Sequence, residues 1–136
     1  MHENIKSEAL VEQFYETAGA DEDMMRNLLH PDFALVEAEL LPYAGIFYGL
    51  AGWQDFWEKF SECWTDISTA NFKMFSNDNM VIARFEMECT ARVTGERIVI
   101  PLCEVWTFKD GKAIELRPYY FDVAAVRRAC GLSVGA

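Results

Sequence analysis

The sequence predicts an α+β fold in which a curved antiparallel sheet, with room for mixed pairing, wraps around N-terminal helices. Three observations predict it. Helical periodicity is confined to the first half of the chain, and alternating strand-like segments fill the second half. Between them lies an aromatic stripe at helical spacing, which needs a broad apolar surface to lie against.

Residues 4–18 set Ile5, Ala9, Leu10, Phe14 and Ala18 at near-helical spacing, and Gly19 closes that helix. Asp21 is placed to cap a short second helix carrying Met24, Met25, Leu28 and Leu29, stopped by His30-Pro31-Asp32. Residues 33–40 read as a first strand, and 41–49 as a loop punctuated by Pro42, Gly45 and Gly49. The third helix carries Trp53, Phe56, Trp57, Phe60 and Trp64. Strands then run over 65–75, 80–93, 96–108 and 113–122, separated by turns at Asn77-Asp78-Asn79, Thr94-Gly95 and Asp110-Gly111. A last short helix covers 123–129. No repeat, linker or low-complexity segment interrupts the pattern, so one domain over residues 1–136 is expected.

Bulk properties narrow the function classes. The net charge of −10 argues against nucleic acid and anionic membrane surfaces as partners. No apolar run reaches the length of a membrane span and no signal-peptide layout opens the chain, so a cytoplasmic protein is expected. Cys63, Cys89, Cys103 and Cys130 lack metal-ligand spacing, and His2 and His30 are isolated. No metal site, Cys–His nucleophile, phosphate loop or dinucleotide fingerprint follows, and no cofactor is expected.

One residue stands out. Along residues 98–108, alternate positions are Ile98, Ile100, Leu102, Glu104, Trp106 and Phe108: a carboxylate in an otherwise apolar lane. The preceding strand fixes which lane is inside. Ile82, Arg84, Glu86, Glu88, Thr90 and Arg92 form its charged face, whereas Val81, Ala83, Phe85, Met87, Cys89 and Ala91 form its apolar face. A two-residue Thr94-Gly95 turn would pair Phe85 with Glu104, so Glu104 is expected to point inward. In the last strand the more apolar lane ends in Tyr120 and Asp122. A buried carboxylate must be hydrogen-bonded, neutralised or held in a wet cavity, and a pocket satisfies that need most simply. Glu104 reads either as a pocket acid or as a structural one pinned by Tyr43, Tyr120 or a backbone amide. Asp122 reads as a second acid or, as its place before the last helix favours, an N-cap. Tyr120 fits a pocket wall better than a proton donor.

The helices-then-meander order, the Pro42–Gly49 loop and the segment from Glu104 to Asp122 resemble the NTF2-like superfamily, and within it the SnoaL-like polyketide-cyclase group. The resemblance spans nearly the whole chain and implies a cone-shaped curved sheet around the helices. Ketosteroid isomerase, a better understood relative, implies a phenol on the first helix, a base on the first strand and a protonated acid on the penultimate strand. Matching Asp32–Ala38 and Gly95–Glu104 to that pattern sets the phenol position at Phe14 and the base position at Ala38. Only Glu104 then keeps its role, and isomerisation by that mechanism is not expected. Tyr15 and Glu37 are expected to turn aside. The epoxide-hydrolase-like members imply an Asp-Arg-Asp cluster, but Arg84, Arg92 and Arg117 all fall in outward lanes.

The expected function is acid–base isomerisation, cyclisation or dehydration of a small apolar organic molecule, with Glu104, Tyr120 and Asp122 as candidate catalytic residues. The alternative is a non-catalytic small-ligand module with the same pocket. Its expected walls are Phe14, Ala38, Tyr43, Tyr48, Trp53, Trp57, Phe85, Met87 and Trp106. Val99, Cys103 and Val105 leave the outer sheet face partly apolar, which predicts a homodimer through that face.

Overall fold

The computed structural model describes residues 2–134, with side chains from Lys6 onward; the side chains of His2 and Ile5 lie outside the described residues. The helices are α1 (His2–Thr17), α2 (Glu22–Leu28), α3 (Gly49–Cys63) and α4 (Val123–Ala129). The strands are β1 (Leu29–Glu37), β2 (Gly45–Tyr48), β3 (Trp64–Asn77), β4 (Met80–Ala91), β5 (Arg97–Lys109) and β6 (Lys112–Tyr120). They form one six-stranded sheet in the order β2-β1-β6-β5-β4-β3. All its pairs are antiparallel except β1–β6, so the sheet is mixed. No described helix is long and apolar enough to cross a membrane.

Several parts of the predicted layout need correction; Trp64, expected on the third helix, instead opens β3. The first strand begins at Leu29, directly after α2, and ends at Glu37 rather than Leu40. Pro31 is tolerated there because the β1–β6 register is irregular between Leu29 and Ala34, where a missing N–H breaks no ladder. The loop read over 41–49 contains β2, which pairs with β1 through Ala34↔Tyr48 and Glu37↔Gly45.

The β4–β5 connection is also longer than predicted. Gly95 N–H donates to the Ala91 carbonyl and Ala91 N–H to Glu96, so residues 92–95 form the loop. Thr94 Oγ1 anchors it to the Ala129 carbonyl at 2.6 Å. Every pair therefore shifts by two residues: Glu104 lies opposite Ala83, and Phe85 opposite Leu102. An even shift preserves the face, so Glu104 still points inward. The shift has a consequence for the interior. Glu104 is flanked by the small Ala83 on one side and Pro118 on the other. Neither can fill the space above a carboxyl group.

Helix α3 packs its aromatic stripe across the concave face. Trp53, Phe56 and Phe60 are buried, and Trp57 stacks between Trp53 and Phe60 at 5.8 and 5.3 Å. The helix lies so close to β2 that a Cβ on Gly52 would fall 2.7 Å from the Phe47 carbonyl carbon. Gly19 fills a similar role for α1. It adopts φ +70°, and the Trp53 ring occupies the space of its missing Cβ while Trp53 Nε1 donates to its carbonyl at 3.2 Å.

Candidate functional site

Strand parity sets three side chains on one wall. Along β1 the burial alternates so that Phe33, Leu35 and Glu37 face inward. The parallel register pairs Leu35 with Leu116, and two residues further it brings Glu37 level with Pro118. Pro118 in turn pairs with Glu104. Glu37 and Glu104 thus start two strand spacings apart, about 10 Å between backbones, on the same face. Long side chains can converge from that separation.

They converge on a cavity of about 110 Å³. Phe14 and Tyr15 of α1 and Trp53, Phe56, Trp57 and Phe60 of α3 line it from the helical side. Glu37, Phe85, Met87, Leu102, Glu104, Leu116, Pro118 and Tyr120 line it from the sheet. A larger groove of about 790 Å³ lies beside Asn71, Lys73, Arg84, Cys103 and Tyr119 and shares Phe85, Leu102 and Tyr120 with the cavity. That groove gathers neither inward carboxyl, so the inner cavity is the candidate site.

Two tryptophan–tyrosine relays enter the cavity. In one, Trp106 Nε1 donates to Tyr15 Oη at 3.1 Å, and Tyr15 Oη donates to Glu104 Oε1 at 2.6 Å. In the other, Trp64 Nε1 donates to Tyr43 Oη at 3.2 Å, and the Tyr43 and Tyr120 hydroxyls are 2.8 Å apart. Glu37 has no such support. It is buried, and its Oε1 has no hydrogen-bond partner.

These surroundings explain the electrostatics. Burial pushes Glu104 up to about 7, and the Tyr15 hydrogen bond partly offsets that rise by favouring the anion. Burial also raises Glu37 well above the usual carboxylate range, and the neighbouring charge of Glu104 raises it further. Two carboxyls that repel each other behave as one coupled unit. Burial likewise raises Tyr15, Tyr43 and Tyr120, so all three phenols stay protonated. The thiols of Cys89 and Cys130 are pushed up to about 12 by burial, which leaves them protonated and unreactive at neutral pH.

Several predicted site residues fall elsewhere. Ala38 lies just past the end of β1 and is exposed; Glu37, one residue earlier, has the inward parity. Phe14 is a wall residue, but the phenol on α1 is Tyr15, which follows it on the helix and contacts Glu104. Tyr48 is exposed at the α3 N-cap, away from the cavity. Tyr43 and Trp106 are fully buried behind the wall, where they hold Tyr120 and Tyr15. Asp122 is exposed and caps α4, its carboxylate accepting from Ala125 N–H at 3.0 Å. It is removed from the candidate acids. Glu104 is held by Tyr15, not by Tyr43 or Tyr120.

Residues 11–116 match the family model described as the SnoaL-like domain, and the chain belongs to that family. Among solved structures, it is similar to an NTF2-like protein from Burkholderia xenovorans, with a TM-score of 0.83 and 19% identity over 93% of this chain and 97% of that one. A putative SnoaL-like polyketide cyclase from Jannaschia aligns with a TM-score of 0.79 and 14% identity, over 96% of this chain and 95% of that one. TerC, crystallised with polyporic acid, aligns with a TM-score of 0.80 and 18% identity, over 93% and 98%. At these identities the likeness shows the fold. No curated protein matches the chain significantly.

Proposed function

We propose that the protein is an acid–base enzyme that removes and returns a proton beside the carbonyl group of a small apolar molecule. The observation that carries this reading is Glu37: a buried carboxyl with an unpartnered oxygen, on the wall of the cavity that also holds Tyr15 and Glu104. A structural acid would have its oxygens satisfied.

The chemistry follows from one proton shared by two acids. Tyr15 donates to Glu104 and favours its anion, so the proton rests on Glu37. A substrate carbonyl oxygen at the Tyr15–Glu104 end accepts hydrogen bonds and reverses that preference. The proton moves to Glu104, where the carboxyl and phenol O–H groups both face the carbonyl oxygen. Glu37 becomes the anion and takes the proton from the adjacent carbon. The charge that develops on the oxygen is stabilised by the Glu104 O–H and by the Tyr15 O–H, which turns from Glu104 to the substrate once that carboxyl is protonated. Glu37 then returns its proton to the same carbon or to another one, giving exchange or isomerisation; ring closure would use the same enolate as carbon nucleophile.

The test is proton exchange at the α-carbons of cyclohexanone in D2O, followed by proton NMR. Catalysed exchange that is lost in Glu37→Gln supports the enzyme. A wild-type protein that binds the ketone without accelerating its exchange would instead be a binding module.

The reading also takes the protein as a homodimer through the outer sheet face. Val99 is 48% exposed there, and Ile82, opposite Val105, and Tyr119, opposite Cys103, are exposed on the same face. Cys103 and Val105 continue the same lane. Sedimentation should give twice the 15.6 kDa chain mass at micromolar concentration, and Val99→Asp should shift it to the monomer.

A further inference from the structure

The relay through Trp64 takes no part in the proton transfer described above, yet it ends on the same cavity wall. Counting hydrogens gives it a direction. Tyr43 Oη accepts from Trp64 Nε1 and has one hydrogen of its own to place. Tyr43 is fully buried, and the oxygen of Tyr120, 2.8 Å away, is its acceptor. If Tyr120 donated instead, the Tyr43 hydrogen would be buried without an acceptor, which native interiors avoid. The chain therefore runs from Trp64 to Tyr43 to Tyr120. Tyr120 lines the cavity and keeps its own hydrogen for whatever enters.

The cavity thus has a second donor besides the Tyr15–Glu104 group: Tyr120 pairs with Leu102, one same-face step along β5 from Glu104. The cavity's volume of about 110 Å³ sets a second limit. A dry cavity of about 150 Å³ accommodates one benzene ring. At about 110 Å³ this cavity is smaller still, so a single small ring marks the upper end of what it suits, although Phe85, Leu102 and Tyr120 also border the larger groove.

We infer that Tyr120 is a second oxygen-recognition point, and that the substrate is a single-ring or short-chain compound with two oxygen functions. One oxygen meets Tyr15 and Glu104, and the other accepts from Tyr120. The inference rests on the proposed function in one respect, that the Tyr15–Glu104 end holds a substrate oxygen.

Isothermal titration with cyclohexanone, cyclohexane-1,4-dione and anthraquinone tests it. The dione should bind the wild type about tenfold tighter than cyclohexanone, the gain of one well-made hydrogen bond. In Tyr120→Phe the ratio of the two affinities should fall to about one. Tyr43→Phe, which removes the relay but leaves the Tyr120 hydroxyl, should give an intermediate ratio of about three, and it decides the matter if Tyr120→Phe does not fold. Anthraquinone should not bind. A wild-type ratio near one, or a tenfold ratio that survives Tyr120→Phe, overturns the two-oxygen claim. Tight anthraquinone binding overturns the size claim. Cyclohexanone exchange that depends on Glu37, without any preference for the dione, defeats this inference and leaves the acid–base reading standing. Binding of neither ketone defeats both.

Discussion

Glu37 and Glu104 are the same kind of residue on the same face of one sheet, and their surroundings differ in one respect. Glu104 receives a hydrogen bond from Tyr15, itself held by Trp106, whereas Glu37 has an oxygen with no partner. Burial raises both, but only Glu104 has a donor that offsets part of the rise. On the proposed function, the difference divides labour between two acids. The supported carboxyl is fixed in place and suits holding an oxygen. The unsupported one is free to exchange a proton with a ligand.

The largest expected effect separates the two by charge removal. Glu37→Gln should lower α-proton exchange by about two to four orders of magnitude, the usual worth of a positioned base. Glu104→Gln should lower it less, about tenfold, because an amide still donates to the carbonyl oxygen, although Glu37 must then lose its proton to solvent rather than to its neighbour. Equal losses in the two variants would erase the proposed division.

The next effect is on stability. The folded value of Glu104 is raised, so protonation favours the fold. Stability is greatest below the unfolded carboxylate value and is lost as pH rises through about 7. From about 4.5 to 7, the loss is on the order of 3 kcal/mol by pH 8. Urea unfolding should therefore show Glu104→Gln more stable than wild type at pH 8 and close to it at pH 4.

Tyr15→Phe should act in the opposite sense to Glu104→Gln. It removes the donor to Glu104 and leaves the Trp106 N–H buried without its acceptor, a cost of about 1–3 kcal/mol. Glu104 should then titrate at a higher pH, making the two acids more alike. The smallest effect concerns the carboxylate outside the pair. Asp122→Ala should cost about 1 kcal/mol through the lost α4 cap and leave exchange unchanged.

The same rule of alternation made Glu104 legible in the sequence and could have revealed Glu37. Phe33, Leu35 and Glu37 form an apolar lane ending in a carboxylate, as Leu102, Glu104 and Trp106 interrupt one. The expectation fails there because the family pattern, aligned at Ala38, runs one position late. Tyr15 could have been recovered from its helical phase: Val11, Phe14 and Tyr15 stand at i, i+3 and i+4, and all turn toward the sheet. The α+β class, the inward face of β4 and the stripe on α3 were legible because periodicity over many residues outvotes any single one. The two-residue register shift was not. Thr94-Gly95 fits a tight turn locally, and the long-range bonds from Thr94 to Ala129 and from Arg92 to Cys63 show why the chain takes a wider loop. The cavity depends on that shift, since it sets Ala83 rather than Phe85 beside Glu104.

Carbon-detected NMR titration of the Glu37 and Glu104 carboxyls, in wild type and in Glu104→Gln, tests the shared proton most directly. Glu104 should titrate near 7 in the wild type. Glu37 should titrate well above the ordinary carboxylate range, and its value should fall in Glu104→Gln while remaining raised by burial. Ordinary values for both acids, or a Glu37 titration indifferent to the loss of Glu104, would contradict the account.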